Sequence, residues 1–180
     1  MGMLAGGIIL LALSGCVPSL HPLYETADLQ FDTALTGTWQ DPEGEKWVLL
    51  GAPNKAYSLD LTEDGDTRRF EVHLLAIGNE RYIDLYPAEP DLKNSFYEGH
   101  LLRVHHFARI RQKGDVLEAA MLDDAWLKQQ FDKGRFEVAR EKLGKDYLLT
   151  GKPAQLRAFL AGLAGEKAAF AEPQVFRRAH

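Results

Sequence analysis

The sequence predicts a mainly β protein, in which one antiparallel meander closes into a β-barrel of about eight or nine strands, with minor α content. Two observations predict this fold class. From residue 37 onward, short segments alternate apolar and polar side chains, which is the period of a strand with one buried face. Glycine-containing pairs that favour hairpin turns separate these segments: Asp64-Gly65, Gly78-Asn79 and Gly114-Asp115.

The strand patterns are strongest between residues 57 and 121. In the segment 70–76, Phe70, Val72 and Leu74 fall on one face, and Glu71 and His73 on the other. The segment 102–112 alternates in the same way and is joined to 116–121 by a turn around Gly114. Further strands are predicted at 37–39, 46–50, 57–61, 81–86, 136–140 and 147–150.

Two helices are predicted in the last third of the chain. Asp123 and Asp124 are suitable N-caps for a helix that Gly134 ends, with its apolar residues at Leu122, Trp126, Leu127 and Phe131. Pro153 suits the first turn of a C-terminal helix, whose apolar stripe consists of Leu156, Phe159, Leu160 and Leu163.

The N-terminus carries an apolar run that ends shortly before the only cysteine of the sequence. Residues 4–13 are all apolar or glycine, a length too short to span a bilayer and typical of a signal-peptide core. The tetrapeptide Leu13-Ser14-Gly15-Cys16 closely resembles the bacterial lipobox, whose cysteine receives a diacylglyceryl group and becomes the new N-terminus after cleavage. This resemblance implies a lipidated Cys16 and stable attachment to a membrane through two or more acyl chains. The alternative is a buried cysteine that follows an ordinary secretory signal.

The chain is therefore divided into three parts: a lipoprotein signal peptide at 1–15, a lipid-anchored tether or arm at 16–34, and a β-barrel domain with its C-terminal helix at 35–180. Pro18 and Pro22 and the absence of periodicity predict an extended arm, and its apolar residues allow part of it to pack along the domain. Because Val17 rather than aspartate follows Cys16, resemblance to Gram-negative lipoproteins implies the outer membrane, with the domain facing the periplasm.

Charge and cysteine usage restrict the partners and the means of stabilisation. The net charge of −5 argues against nucleic acid and against an electrostatic grip on anionic lipid. With its one cysteine lipidated, the chain can form no internal disulfide, so the fold must depend on a well-packed core.

The predicted meander has features of a known barrel family. Gly37-Thr38-Trp39 at its start resembles the Gly-x-Trp opening of a lipocalin-like barrel. In lipocalins this tryptophan packs at the closed end of the barrel under a late arginine, and the resemblance gives that role to Arg177 or Arg178, by cation–π contact with Trp39. More closely, the chain resembles a group of uncharacterised bacterial lipoproteins, through the lipobox, Gly-Thr-Trp, 84–87, 104–107, 114–117 and 149–150. That resemblance implies no known activity.

Several residues are candidates for contact with a ligand or a partner. Tyr82, Asp84 and Tyr86 share one face of a predicted strand, where they line either a pocket or a wet exterior. The connection 87–100 interrupts the meander and carries Phe96 and Tyr97 among acidic residues, a mixture that suits an interaction loop or, alternatively, a lid over the barrel mouth.

Histidines give a weaker signal. His105 and His106 are adjacent on a strand and point to opposite faces, so they cannot easily hold one ion. His105 is retained as a contact candidate, and neither a metal nor another cofactor is predicted.

No motif for a catalytic serine, a phosphate-binding loop or a zinc protease occurs, so we predict a protein that is not an enzyme. The leading hypothesis is a membrane-anchored envelope lipoprotein that binds a small apolar or amphipathic ligand in its barrel, as small barrels commonly do. The alternative is an interaction module that binds another protein of the cell envelope.

Overall fold

The computed structural model describes residues 17–88 and 94–179. Over these residues the chain forms ten strands: β1 (Gly37–Gln40), β2 (Lys46–Gly51), β3 (Ala56–Glu63), β4 (Asp66–Ile77), β5 (Glu80–Pro87), β6 (His106–Lys113), β7 (Val116–Met121), β8 (Arg140–Leu143), β9 (Asp146–Leu149) and β10 (Gln174–Ala179). Three α-helices accompany them: α1 (Ser95–Glu98), α2 (Asp124–Asp132) and α3 (Pro153–Gly162).

Eight of these strands close into an antiparallel barrel, which confirms the predicted fold class. The order around the barrel is β1-β10-β7-β6-β5-β4-β3-β2, so neighbours in sequence are neighbours in space except where β10 is inserted between β7 and β1. Strands β8 and β9 form a separate two-stranded sheet. Closure leaves the barrel without an unpaired edge.

The barrel interior is filled with side chains. The inward face of each strand contributes to one apolar cluster, which includes Trp39, Trp47, Tyr57, Leu74, Ile110 and Phe176. The rings of Trp47 and Phe176 meet with their centroids 4.6 Å apart. An eight-stranded barrel is just wide enough for its own side chains to fill it, and this cluster does so.

One end of the barrel is closed by the contacts around Trp39, which is fully buried as predicted. The guanidinium of Arg178 lies 4.1 Å from the Trp39 ring centre and donates to the carbonyl oxygens of Ala34 and Thr36, each at 2.7 Å. Gly37 has a φ of +126°, and a Cβ there would lie 2.5 Å from a nitrogen of Arg178. Glycine is therefore needed at this position both for its backbone angle and to give the arginine room.

A second core lies outside the barrel. The outer faces of the central strands carry large apolar residues such as Leu75, Tyr82 and Phe107, which pack against α2, α3 and the β8–β9 hairpin. Both predicted helices are present. Asp123 caps α2 by accepting from the Trp126 amide at 2.7 Å, and the predicted stripe of α3 is buried at Leu156, Phe159, Leu160 and Leu163.

The structure corrects three details of the predicted meander. The segments 136–140 and 147–150 do not supply barrel strands: residues 140–149 form the outer hairpin, because the apolar outer wall must be covered. The helix at 153–162 is not the last element, since β10 follows it and closes the barrel. Arg178 rather than Arg177 covers Trp39, because β10 pairs Arg178 directly with Trp39 and turns Arg177 outward.

Among the described helices, none is both long and apolar enough to cross a membrane.

The two neighbouring arginines of β10 provide a matched test of the barrel end. We expect Arg178→Ala to lower the free energy of unfolding by about 1–3 kcal/mol, because it removes the cover of Trp39 and two hydrogen bonds to carbonyl groups. Arg177→Ala, on the exposed face of the same strand, should change it by less than about 0.5 kcal/mol. Urea unfolding measures both, and equal losses would contradict the assignment of Arg178 to this role.

Candidate functional site

The outer face of β4, β5 and the residues just before β6 carries a group of polar and aromatic side chains that we call the arm seat. It consists of His73, Asp84, Tyr86 and His105, brought together by the pairing of β4 with β5 and of β5 with β6. Although this face points away from the barrel interior, His73, Asp84 and His105 are only 6%, 1% and 8% exposed. Residues 17–35, which we call the arm, pass near them and contribute to their burial.

Asp84 is the centre of the arm seat. One carboxylate oxygen lies 2.7 Å from Nδ1 of His105, and the other accepts a hydrogen bond from the backbone N–H of Leu23 at 2.6 Å. The His105 ring also stacks on Tyr86, with centroids 4.4 Å apart. A buried carboxylate is costly unless its oxygens have hydrogen-bond partners. Burial of Asp84 therefore depends on the Leu23 N–H being in place as well as on His105.

A second contact of the arm involves His73. Its ring lies 4.2 Å from that of Tyr24, and its Nε2 is 3.5 Å from a carboxylate oxygen of Glu71. Burial lowers the pKa of His73, which favours the neutral imidazole. Burial, followed by the charges of Asp84 and Glu71, raises the pKa of Tyr24 to about 12. Both rings of this tilted contact are therefore uncharged near pH 7.

Backbone hydrogen bonds hold the start of the arm in place. Ser19 exchanges two with His105, at 2.8 and 2.9 Å. On its other side, the Leu149 amide donates to Pro18 and the Leu20 amide donates to Leu149. The arm therefore lies between β6 and β9 and joins the barrel wall to the outer hairpin.

The rest of the arm crosses the wall and reaches the closed end of the barrel. Arg157 of α3 donates to the Leu23 carbonyl at 3.3 Å and pairs with Asp28 at 2.7 Å. Asp32 pairs with Arg81 at 2.7 Å, and its backbone N–H donates to the Tyr57 hydroxyl at 2.7 Å. The arm is thus attached at both ends and in the middle.

The chemistry of the arm seat suits holding a chain segment. An Asp–His pair is part of many catalytic sites, where the imidazole faces a nucleophile. Here the nearby Ser19 hydroxyl donates to the His21 carbonyl at 2.8 Å, and both oxygens of Asp84 are occupied. The arrangement therefore fixes the arm and does not present an activated hydroxyl.

The structure brings four of the predicted contact residues together and separates the others. Tyr82, Asp84, Tyr86 and His105 share the outer wall, where Tyr82 is buried beside Phe170, with ring centroids 6.2 Å apart. Phe96 and Tyr97 lie on α1, 79% and 61% exposed. Cys16, at the predicted lipidation position, lies outside the described residues.

The histidines are also separated. His106 belongs to β6, on the face opposite to His105, and burial lowers its pKa. The Nδ1 atom of His100 is 2.7 Å from the Phe96 carbonyl, within the α1 segment. In the part of the chain that the structure describes, no three His, Cys, Asp or Glu side chains are grouped as a metal site would require.

Sequence reasoning did not find the partners of Asp84 in the arm. Leu23 lies 61 positions before Asp84, and its contribution is a backbone N–H, which leaves no trace in residue type. The available signal was the apolar pair Leu23-Tyr24 inside a proline-containing segment, which indicates packing without identifying what it packs on.

Open depressions on the described part of the surface include the following two. One, of about 380 Å³, is lined by residues of the β2–β3 turn, β3 and β4, including Ser58, Glu71 and His73. The other, of about 720 Å³, lies between the segment 134–140 and α3. Both contain polar and apolar lining groups, a mixture that suits an amphipathic ligand.

Replacement of the central carboxylate tests the energetic role of the arm seat. Asp84→Asn should lower the free energy of unfolding by about 3 kcal/mol or more, because it leaves a buried histidine without its charged partner. Asp60→Asn is the control: its pair with Arg69, at 2.6 Å, is largely exposed and should contribute less than about 1 kcal/mol. Similar losses in urea unfolding for the two variants would contradict the central position of Asp84.

Comparisons of this chain with protein-family descriptions, with curated proteins and with solved structures found no match.

Proposed function

We propose that this protein is a lipid-anchored lipoprotein of the bacterial outer membrane that faces the periplasm and binds another envelope protein. The binding part of the proposal rests on residues 96–102, which include most of α1 and which we call the exposed segment. Phe96, Tyr97 and Leu102 are 79%, 61% and 62% exposed, and Leu101 is exposed as well. Exposed aromatic and aliphatic side chains this close together in sequence are typical of an interaction site.

The anchor half of the proposal depends on the sequence. The apolar run at 4–13 and the lipobox-like Leu13-Ser14-Gly15-Cys16 support lipidation of Cys16, and Val17 in the next position supports the outer membrane. The arm that follows is held on the domain from Pro18 onward. A lipid on Cys16 would therefore attach the domain at a fixed point of its surface.

The position of the exposed segment supports a protein partner over the membrane itself. Ser19 pairs antiparallel with His105, so the arm runs from Ser19 back to Val17 in the direction of Phe107 and away from Leu102. Val17 is level with Phe107, which is five residues from Leu102 along the chain, a span of about 17 Å when extended. This separation supports a partner in the periplasm rather than the membrane surface as the binding partner of the exposed segment.

A second candidate function is the binding of a small apolar or amphipathic ligand, which the barrel fold is compatible with. The depression of about 380 Å³ on the outer side of β3 and β4 favours it. The packed interior directs such a ligand to this outer surface, because the space inside the barrel is occupied by the protein's own side chains.

Lipidation of Cys16 can be tested by replacing its thiol. Cys16→Ser should abolish incorporation of labelled fatty acid and leave an uncleaved precursor, because the thioether cannot form. The comparison is the unaltered protein expressed and labelled in the same way, with density-gradient fractionation to locate it. Retention of label by the serine variant would contradict the anchor.

Site-specific photocrosslinking in intact cells tests the interaction segment. A photoreactive phenylalanine at Tyr97 should give one discrete protein adduct, and Phe96→Ser with Leu102→Ser should reduce that adduct by about tenfold, the effect of losing roughly 1.4 kcal/mol of contact energy. The matched control is the same photoreactive residue at Leu50, which is 56% exposed on β2.

Two results would contradict the protein-partner proposal: adducts of equal yield at positions 97 and 50, or no adduct at 97. Native mass spectrometry of the delipidated protein distinguishes the second candidate. A retained small molecule that is lost in a Ser58→Trp variant would favour ligand binding at the outer depression.

A further inference from the structure

The geometry points to the tip of the β8–β9 hairpin as a second membrane contact, which rests on the lipid surface beside the anchor. We call residues 142–145 the hairpin tip; it contains Lys142, Leu143, Gly144 and Lys145. This inference rests on the proposed lipidation of Cys16 and adds to it a surface of the folded domain.

The first step is the register of the arm against β9. The Leu149 amide donates to Pro18 at 2.9 Å, and the Leu20 amide donates to Leu149 at 2.8 Å, which is the pattern of a parallel pair. Ser19 is therefore level with Leu149, and Val17 is level with Tyr147. Val17 is buried, so this end of the arm is firmly packed.

The second step is the distance from this point to the hairpin tip. Strand β9 begins at Asp146, which pairs with Leu143 across the turn. Gly144 in the tip is three residues before Tyr147, or roughly 10 Å away along the strand. This is the same direction in which the arm runs from Ser19 back to Val17. Cys16 is bonded directly to Val17, about 3.8 Å away between Cα atoms. Acyl chains on Cys16 would thus bring the bilayer surface to the hairpin tip.

The third step is the chemistry of the tip. Leu143 is 58% exposed at the end of a two-stranded sheet whose other apolar side chains, Tyr147, Leu148 and Leu149, are buried. Lys142 and Lys145 flank it and are exposed. An apolar side chain between two lysines suits the headgroup region, because lysine stems lie along apolar surface while their ammonium groups reach phosphate.

The neighbouring acidic groups are compatible with this contact. Asp146 pairs with Lys128 at 2.6 Å, and Asp132 accepts from the Tyr147 hydroxyl at 2.7 Å and lies 3.6 Å from Lys142. These interactions partly neutralise the carboxylates that would otherwise face anionic lipid.

The test uses the full-length lipidated protein in vesicles of phosphatidylethanolamine and phosphatidylglycerol. Roughly one lipid in four is the anionic phosphatidylglycerol. Because lipidation consumes the thiol of Cys16, Leu143→Cys introduces a single site for an environment-sensitive dye. The control is Leu50→Cys, which is similarly exposed but lies on β2, across the barrel from β6. A third variant, Lys145→Cys, provides a second labelling position in the hairpin tip. It shows whether quenching at position 143 results only from the loss of the Leu143 side chain.

Quenching by spin-labelled lipids should be at least about twofold stronger at positions 143 and 145 than at position 50, since a headgroup contact places the dye within about 5–10 Å of the acyl boundary. Equal quenching at 143, 145 and 50 on lipidated protein would overturn the inference while leaving the anchor intact. A blue shift at 143 that depends on protein concentration without vesicles would also overturn it, because a second copy of the chain would then cover the tip. Absence of the lipid mass on Cys16 would instead refute the proposed function.

Discussion

The buried carboxylate of Asp84 is the interaction that joins the parts of this structure. It lies on the outer wall of the barrel, yet it is only 1% exposed, so its charge must be stabilised by protein groups. Its two partners come from different parts of the chain: the imidazole of His105 from the wall, and the N–H of Leu23 from the arm. If the arm were removed, one carboxylate oxygen would lose its donor and the histidine would be uncovered. The arm is therefore a structural part of the domain.

This constraint explains how the two cores depend on each other. The inner core fills the barrel around Trp39 and Phe176, and the outer core lies between the wall and the helices. The arm contributes to both, since Leu23 packs in the outer core and Leu35 in the inner one. The chain has one cysteine, which we propose carries lipid, so it forms no internal disulfide. The two cores and the arm therefore supply the stability that disulfides supply in many exported domains.

Firm attachment of the arm also gives a physical basis to the proposed function. A flexible tether would let the domain rotate freely beneath a lipid anchor, whereas an arm fixed at Pro18 and Ser19 gives the domain a defined orientation. In the proposed arrangement, the hairpin tip is the part directed to the lipid surface, and Phe96 and Tyr97 are the part directed to the periplasm. Orientation of this kind favours binding to a partner at a fixed height above the membrane.

The sequence predicted the barrel and most of its strands, but not the strand that closes it. Alternation placed Phe70, Val72 and Leu74 on one strand face and Ala108 and Ile110 on another, and the structure puts both faces in the interior. Strand β10 was missed because its inward face carries Arg178, whose place over Trp39 becomes clear only when the two strands pair. Asp84 pointed to a wet exterior or a pocket lining, whereas its burial depends on Leu23, which is far away in sequence. Long-range pairing of this kind has no local signature.

Backbone hydrogen exchange on the unmodified domain measures the central claim, which is that the arm is held as firmly as the barrel. The amides of Leu20 and Leu23 donate to the domain and should open only when the barrel unfolds, so their protection should match that of β5 amides within about tenfold, or about 1.4 kcal/mol. Exchange of these arm amides at rates close to those of an unstructured chain, with β5 fully protected, would contradict it.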